Sequence, residues 1–346
     1  MRSFRPVFVG IFFAASLLLS GCQSQESIPP TLTPIVLTAT AENTVTPNST
    51  QTATVTATAT GVPSQTPTQL QQTDTPVAPA DIECGEPFCQ VAWQGYLERP
   101  FDSSYRRTID LSYPYASTMN GMFDLHHGVE FPNGYGSPVL AAAPGEVVYA
   151  ASDSNIILGP FPGFYGNVII LQHTGLYQGE DLFTLYAHLS EMDVAVGDQV
   201  NQGQKIGEVG ATGAADGPHL HFEVRLGDNH YHQTTNPILW FAPLSNDGAQ
   251  QSAALAGLLL DRYGQPLSEF DVVLEKMSDD GVVEERFYTK TYKQGRINSH
   301  PLLGENFVIP DIPPGNYRFV FIIGTMHQFT FRLEPGSLGL TTFQAE

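Results

Sequence analysis

Gly217-Pro218-His219-Leu220-His221-Phe222-Glu223-Val224-Arg225 alternates in character with a period of two. Leu220, Phe222 and Val224 fall on one face of an extended segment, and His219, His221 and Glu223 fall on the other. Successive side chains of a strand point to opposite faces, so the stretch predicts a strand over 220–225 with a packed side and a polar side. A second polar pair sits in His126-His127-Gly128-Val129-Glu130. Gly128, Val129 and Pro132 disfavour a helix, and on an extended segment the even spacing again puts His126 and Glu130 on one face. Eight of the ten histidines lie between 126 and 232. Imidazole supplies both metal ligands and proton-transfer groups near neutral pH. Zinc suits two imidazoles and one carboxylate, with a fourth position left for water. Any one of these histidines alone is as readily structural; the set together has little packing purpose.

Working outward, Val139–Ala143 and Glu146–Ala150 read as strands around the Pro144-Gly145 turn, followed by Val168–Leu171, Leu182–Ala187 and Lys205–Val209. Few stretches have helical period, so residues 81–245 read as a mainly antiparallel β unit, closed by Asn236-Pro237-Ile238-Leu239-Trp240. Residues 252–346 read as a second β unit. Its candidates are Leu255–Leu260, Asp271–Leu274, Phe307–Ile309, Tyr317–Ile322 and Gln328–Leu333, split by Tyr263-Gly264-Gln265-Pro266 and Pro313-Pro314-Gly315-Asn316. Short strands with such turns suggest a small β-sandwich. The fold class is therefore mainly β: an antiparallel sheet domain, then a sandwich, behind an N-terminal stalk.

The chain has 346 residues and a formal net charge of −20. That charge repels nucleic-acid phosphates and anionic lipid alike. Residues 23–80 are rich in Thr, Pro, Ser, Gln and Ala, cannot bury enough apolar surface to offset backbone entropy, and read as a disordered linker. Before them, Arg2 and Arg5 precede the apolar Val7–Leu19, and residues 1–22 end in Leu19-Ser20-Gly21-Cys22. This resembles the bacterial lipoprotein signal, which implies lipidation at Cys22, an anchor on the outer face of the cytoplasmic membrane and a place in the cell envelope. An ordinary secretory signal with a chance cysteine is the alternative. The apolar core is too short to span a bilayer, which takes about 20 residues. Cys84 and Cys89 read as a disulfide, which an exported context permits and which the entropic model values at roughly 2 kcal/mol. A metal pair is the alternative, without a nearby histidine or third cysteine to support it.

Over roughly 120–240 the segments resemble the lysostaphin-like zinc endopeptidases of the M23, or LytM, type. The matching motifs come in order: His126-His127-Gly128-Val129-Glu130, Gly136-Ser137-Pro138-Val139, Ala143-Pro144-Gly145-Glu146, Gly166-Asn167-Val168, Tyr186-Ala187-His188-Leu189, Gly197-Asp198-Gln199-Val200, Gly207-Glu208-Val209-Gly210 and Gly217-Pro218-His219-Leu220-His221. The resemblance implies one Zn2+, held by His126, His221 and Glu130, with Glu130 in the place of the family's aspartate. It also implies that His188 and His219 are the catalytic pair, and that the substrates are peptide stems and cross-bridges of peptidoglycan. The opening of the second unit and Ile312-Pro313-Pro314-Gly315-Asn316-Tyr317 loosely resemble carboxypeptidase regulatory-like domains, which implies a spacer or adhesion module with possible wall or surface partners.

Glu130 keeps a second class of function open: a catalytically degenerate module that binds wall or activates a hydrolase. A surface adhesin working through the C-terminal unit is a third. Of the other polar residues, Glu223 continues the His219/His221 face and could orient a ligand histidine. His127 reads as a flanking residue, His173 as structural, and His230 and His232 as exposed. His300 and His327 read as isolated, structural or exposed. Phe161-Pro162-Gly163-Phe164 is a candidate rim loop, with a simple turn as its plainer reading.

Overall fold

The computed structural model describes residues 87–93, 95–245, 250–295 and 297–345. The expected export signal with Cys22, the 23–80 linker and Cys84 lie outside the described residues. Cys89 is disulfide-bonded.

Among the described residues there are strands, turns and two short 3-10 segments. The first unit contains β1 (Phe88–Ala92), β2 (Val129–Phe131), β3 (Pro138–Leu140), β4 (Gly145–Ser152), β5 (Asn167–Tyr177), β6 (Glu180–Ala187), β7 (Leu189–Met192), β8 (Gln199–Val200), β9 (Lys205–Val209), β10 (Leu220–Leu226) and β11 (Thr234–Thr235). One sheet runs β11-β10-β6-β5-β4-β8, with β2 also paired to β10, and a small sheet runs β3-β9-β7. The core lies between them. Leu220, Phe222 and Val224 of β10 point into it beside Val139, Ile206 and Leu189, as the alternation predicts. The chain crosses from the large sheet to the small one at His188, whose φ is 61°. A left-handed backbone is unfavourable for a non-glycine residue and persists only where its surroundings impose it.

The second unit contains β12 (Ala253–Leu260), β13 (Asp271–Met277), β14 (Val283–Lys290), β15 (Phe307–Ile312), β16 (Gly315–Ile323), β17 (Thr325–Leu333) and β18 (Ser337–Gln344). Two four-stranded sheets, β1-β18-β12-β15 and β14-β13-β16-β17, pack over Leu255, Phe307, Ile309, Leu274, Tyr317 and Phe319. This is the expected sandwich. It recruits β1, from the entrance of the first unit, onto β18.

The two units share a core. Ala254, Ala256, Tyr292, Val308 and Leu338 of the second pack in the same cluster as Trp240, Phe222 and Tyr115 of the first. His300 is buried here against Trp240, with ring centroids 4.9 Å apart. Buried Arg99 lies over the Phe241 ring and pairs with Asp311 at 2.7 Å. Asn236 Nδ2 donates to the Tyr292 hydroxyl (2.8 Å), which donates to Glu305 Oε1 (2.9 Å). The His300 amide donates to Glu305 Oε2 at 3.0 Å.

Burial pushes the Glu305 carboxyl up from 4.5 to about 8. A folded-state value above the unfolded one means the folded chain holds the extra proton between those pH values. The resulting stability is complete below the unfolded value and is lost as pH rises through the folded one. From about pH 5 to about pH 9, the native chain should lose a few kcal/mol of unfolding free energy relative to Glu305→Gln, at about 1.4 kcal/mol per pKa unit. Urea unfolding of both proteins at the two pH values checks this; a difference that does not change with pH contradicts it.

Candidate metal centre

β10 pairs with β2 so that His221 stands opposite Glu130. Residues opposite each other in an antiparallel pair have neighbouring side chains. Val129 and Phe131 turn into the core and Glu130 turns out, so it meets His221 on the polar face. His126 reaches the same point from the segment before β2. Its amide donates to Ser117 O (3.1 Å) and its carbonyl accepts from the Ala116 amide (2.8 Å). Gly128 lets these strands close: a Cβ there would stand 2.7 Å from the His221 ring and 2.6 Å from the Phe222 carbonyl oxygen.

His126 Nε2, His221 Nδ1 and Glu130 Oε1 converge. His126 Nε2 is 3.0 Å from Glu130 Oε1 and 3.4 Å from His221 Nδ1, and His221 Nδ1 is 2.9 Å from Glu130 Oε1. Tetrahedral ligands at about 2.0–2.1 Å from zinc lie about 3.3 Å from one another, so the spacing suits that ion. The outer bonds assign the tautomers. His126 Nδ1 lies 2.7 Å from the Tyr113 carbonyl oxygen and His221 Nε2 lies 3.1 Å from Glu223 Oε1. Those nitrogens donate to acceptor-only oxygens, so in the neutral rings the lone pairs sit on His126 Nε2 and His221 Nδ1 and face a carboxylate. Glu130 Oε2 is buried without a hydrogen-bond partner, with His219 Nε2 3.2 Å away. His126, Glu130 and His221 thus offer one ligand atom each, close enough together to hold a metal ion.

The support beneath is charged and dry. Glu223 and Arg225 have fully buried side chains and pair at 2.7 Å. The Tyr165 hydroxyl donates to Glu223 Oε1, and Arg225 Nη1 donates to Asn229 Oδ1 at 3.1 Å. Burial would raise the Glu223 carboxyl, but Arg225 and His221 hold it at about 2. Burial would likewise lower His221, but Glu130 and Glu223 raise it to about 10, so without a cation a proton on His221 supplies the positive charge that Glu130 faces. Burial would raise Glu130 as well, yet His221 and His126 hold it well below the usual carboxylate range. Positive charge is therefore favoured at this point.

The other two predicted histidines stand beside the cluster. His188 and His219 have ring centroids 4.9 Å apart, and His188 is 5.7 Å from His221. His188 Nδ1 faces Thr212 O (2.8 Å) and His219 Nδ1 faces Gly217 O (2.9 Å), which leaves Nε2 of each as the nitrogen for the cleft, that of His219 beside Glu130 Oε2. Burial, and then the His221 charge, push His188 down to about 4. All five residues line a cleft of about 550 Å³ whose rims carry Phe123, Phe161 and Phe164; the 161–164 stretch is thus a rim.

The remaining histidines separate as expected. His173 is buried on Pro144 O and Thr184 Oγ1, and His230 is exposed. His127 is buried, bonded to Thr234 Oγ1 (2.7 Å) and stacked on Tyr231, at the cleft wall. Sequence reasoning did not find Tyr113, Tyr165 or Arg225. Tyr113 stacks on His126 with centroids 4.1 Å apart and planes within 7°. For Arg225 a signal existed: it continues the parity of His221 and Glu223.

Residues 124–237 match the family model "Peptidase family M23", a span that includes all five residues. The chain is 34% identical over 132 residues to the DD-carboxypeptidase/endopeptidase Mpg of Neisseria meningitidis, covering 38% of this chain and 26% of that protein. It is 34% identical over 126 residues to the peptidoglycan DD-endopeptidase ShyB of Vibrio cholerae, covering 36% of this chain and 26% of that protein. The chain thus spans about a quarter of the length of these relatives. The catalytic domain of lysostaphin from Staphylococcus simulans is 33% identical, with a TM-score of 0.31, over 39% of this chain and 90% of that domain. The chain carries a peptidase family M23 domain at residues 124–237.

Proposed function

We propose that the M23 domain is a zinc endopeptidase that cleaves peptide bonds in the stems or cross-bridges of peptidoglycan. The observation that carries this reading is the convergence of His126 Nε2, His221 Nδ1 and Glu130 Oε1, next to two more imidazoles whose Nδ1 atoms face backbone carbonyls. Zinc, when bound, supplies Lewis acidity that polarises a peptide carbonyl and acidifies water. The chain's own residues supply the rest. His126, His221 and Glu130 hold the ion, and Glu223 fixes the His221 ring through Nε2. His188 and His219 meet the cleft as proton acceptors, because each keeps its Nδ1 proton on a backbone carbonyl. A histidine that takes the proton of a water then has an Nε2–H to stabilise developing oxyanion charge or to protonate the leaving amine. The relatives named as peptidoglycan DD-endopeptidases support the substrate class.

The chain is organised in this reading as a lipoprotein signal at 1–22, a linker at 23–80, the peptidase unit at 81–245 and the accessory sandwich at 252–346. Cys22 carries lipid and holds the protein on the outer face of the cytoplasmic membrane, within reach of wall. Cys84 is the disulfide partner of Cys89. Glu130 favours a second reading, a degenerate module that binds wall or activates a hydrolase, because its side chain is one methylene longer than aspartate.

Zinc titration against a chelator separates the two readings. Glu130→Asp should retain one zinc per chain. Glu130→Ala should lose more than the about 10- to 100-fold that removal of an outer-shell partner costs. Unchanged affinity in Glu130→Ala means that the third ligand lies elsewhere. On peptidoglycan sacculi, His219→Ala should bind zinc yet release muropeptides about 100- to 10,000-fold more slowly than the native chain. Equal digestion by both proteins refutes the catalytic assignment.

A further inference from the structure

The second β unit grips the segment that leads into the cleft through a carboxylate and a backbone amide. Glu269 Oε1 accepts from the Thr118 amide at 2.9 Å and also from the Thr118 hydroxyl. Glu269 Oε2 pairs with Lys293 Nζ at 3.0 Å. One turn away, the Lys293 amide donates to Ala116 O at 2.6 Å. Glu269 is itself held: its amide donates to the Thr291 carbonyl at 3.1 Å, and Thr291 is fully buried. Its φ of 51° is left-handed, a conformation that only imposed contacts retain.

Residues 116–123 form the lip that these bonds grip, and the lip meets the cleft at Phe123. Ala116, Met119 and Asn120 have φ of 64°, 48° and 59°. Ala116 is anchored in the core, but Met122 and Phe123 are 69% and 52% exposed, so the outer end of the lip has little apolar anchorage. On its inner side it pairs with the first candidate ligand: Ala116 and Ser117 exchange backbone hydrogen bonds with His126. Phe123 packs on Tyr113 at 5.2 Å, and Tyr113 stacks on His126. A continuous set of contacts therefore runs from Glu269 through Thr118 and Ala116 to His126.

We propose that Glu269, set by Lys293, is a positioning residue for the peptidase site: it clamps the 116–123 lip and thereby fixes His126 and the Phe123 rim of the cleft. The accessory unit is then part of the site's support and not a detached spacer. The proposal rests on His126 being a metal ligand for its effect on the ion, and on geometry alone for its effect on the lip.

The test uses the full chain carrying Glu269→Ala, Glu269→Gln or Glu275→Ala. Glu275 bridges Arg286 and Arg318 within the second unit, so its loss weakens that unit without releasing the lip. Amide exchange is followed at 116–126 in metal-free protein, and zinc affinity by chelator competition. Glu269→Ala should speed exchange there about ten- to hundredfold, the effect of losing a charge-assisted bond, and should weaken zinc about tenfold. Glu269→Gln, whose amide oxygen still accepts from Thr118 but which gives up the charge and the Lys293 pair, should fall between native and Glu269→Ala in both. Glu275→Ala should change neither. Unaltered exchange in Glu269→Ala, or equal loosening in Glu275→Ala, overturns the clamp. Faster exchange with unaltered zinc affinity overturns the positioning of His126. A native chain that binds no zinc defeats the ligand reading instead, and the exchange data still decide the clamp.

Discussion

Three lone pairs pointing at one place repel one another unless positive charge stands among them. His126 Nε2, His221 Nδ1 and Glu130 Oε1 are aimed together by Tyr113 O behind His126, by Glu223 behind His221 and by the pairing of β2 with β10 that sets Glu130 opposite His221, and a proton or a cation must stand among them. The rest of the domain reads as a means of keeping them so. Gly128 gives up its side chain so that the His221 ring can approach. Tyr113 covers one face of His126. Glu223 holds the far nitrogen of His221 and must itself be neutralised by Arg225, since both side chains are fully buried.

That support is costly. A buried ion pair recovers its desolvation penalty only with good geometry and further hydrogen bonds, and breaking one partner away costs about 3–5 kcal/mol. Glu223 accepts from Arg225, His221 and Tyr165, and Arg225 also bonds Asn229, so both members are well satisfied. The left-handed backbone adds strain at the cleft, at His188, and in the segment that leads to it, at Ala116, Met119 and Asn120. Such strain survives where surrounding structure over-determines it. The shared core with the second β unit supplies part of that determination, through Tyr292, His300 and the residues packed on Trp240.

The site was readable because strand parity is a local property. Leu220, Phe222 and Val224 alternate with His219, His221 and Glu223, and any strand must put the two sets on opposite faces. Glu130 followed by the same rule, and pairing of β2 with β10 brought the two faces together. The C-terminal sandwich was readable from its turns, although β14, with exposed Glu284, Glu285 and Arg286, has no apolar alternation to announce it. The union of the two units was not readable. Tyr292, His300 and Glu305 stand 50 or more residues from Asn236 and Trp240, and no periodicity links a buried carboxylate to its remote donors. The recruitment of β1 by β18 was hidden for the same reason: pairing partners 249 residues apart, such as Gln90 and Gly339, leave no local mark.

The central claim is that this donor set closes on one zinc ion. A crystal structure of the zinc-loaded full chain, with anomalous data on either side of the zinc absorption edge, tests it most directly. The account predicts a single strong anomalous peak within about 2.0–2.2 Å of His126 Nε2, His221 Nδ1 and a Glu130 carboxylate oxygen, with His188 and His219 outside the ligand shell. A peak ligated by His188 or His219 in place of Glu130, or no peak in the cleft at stoichiometric zinc, would contradict it.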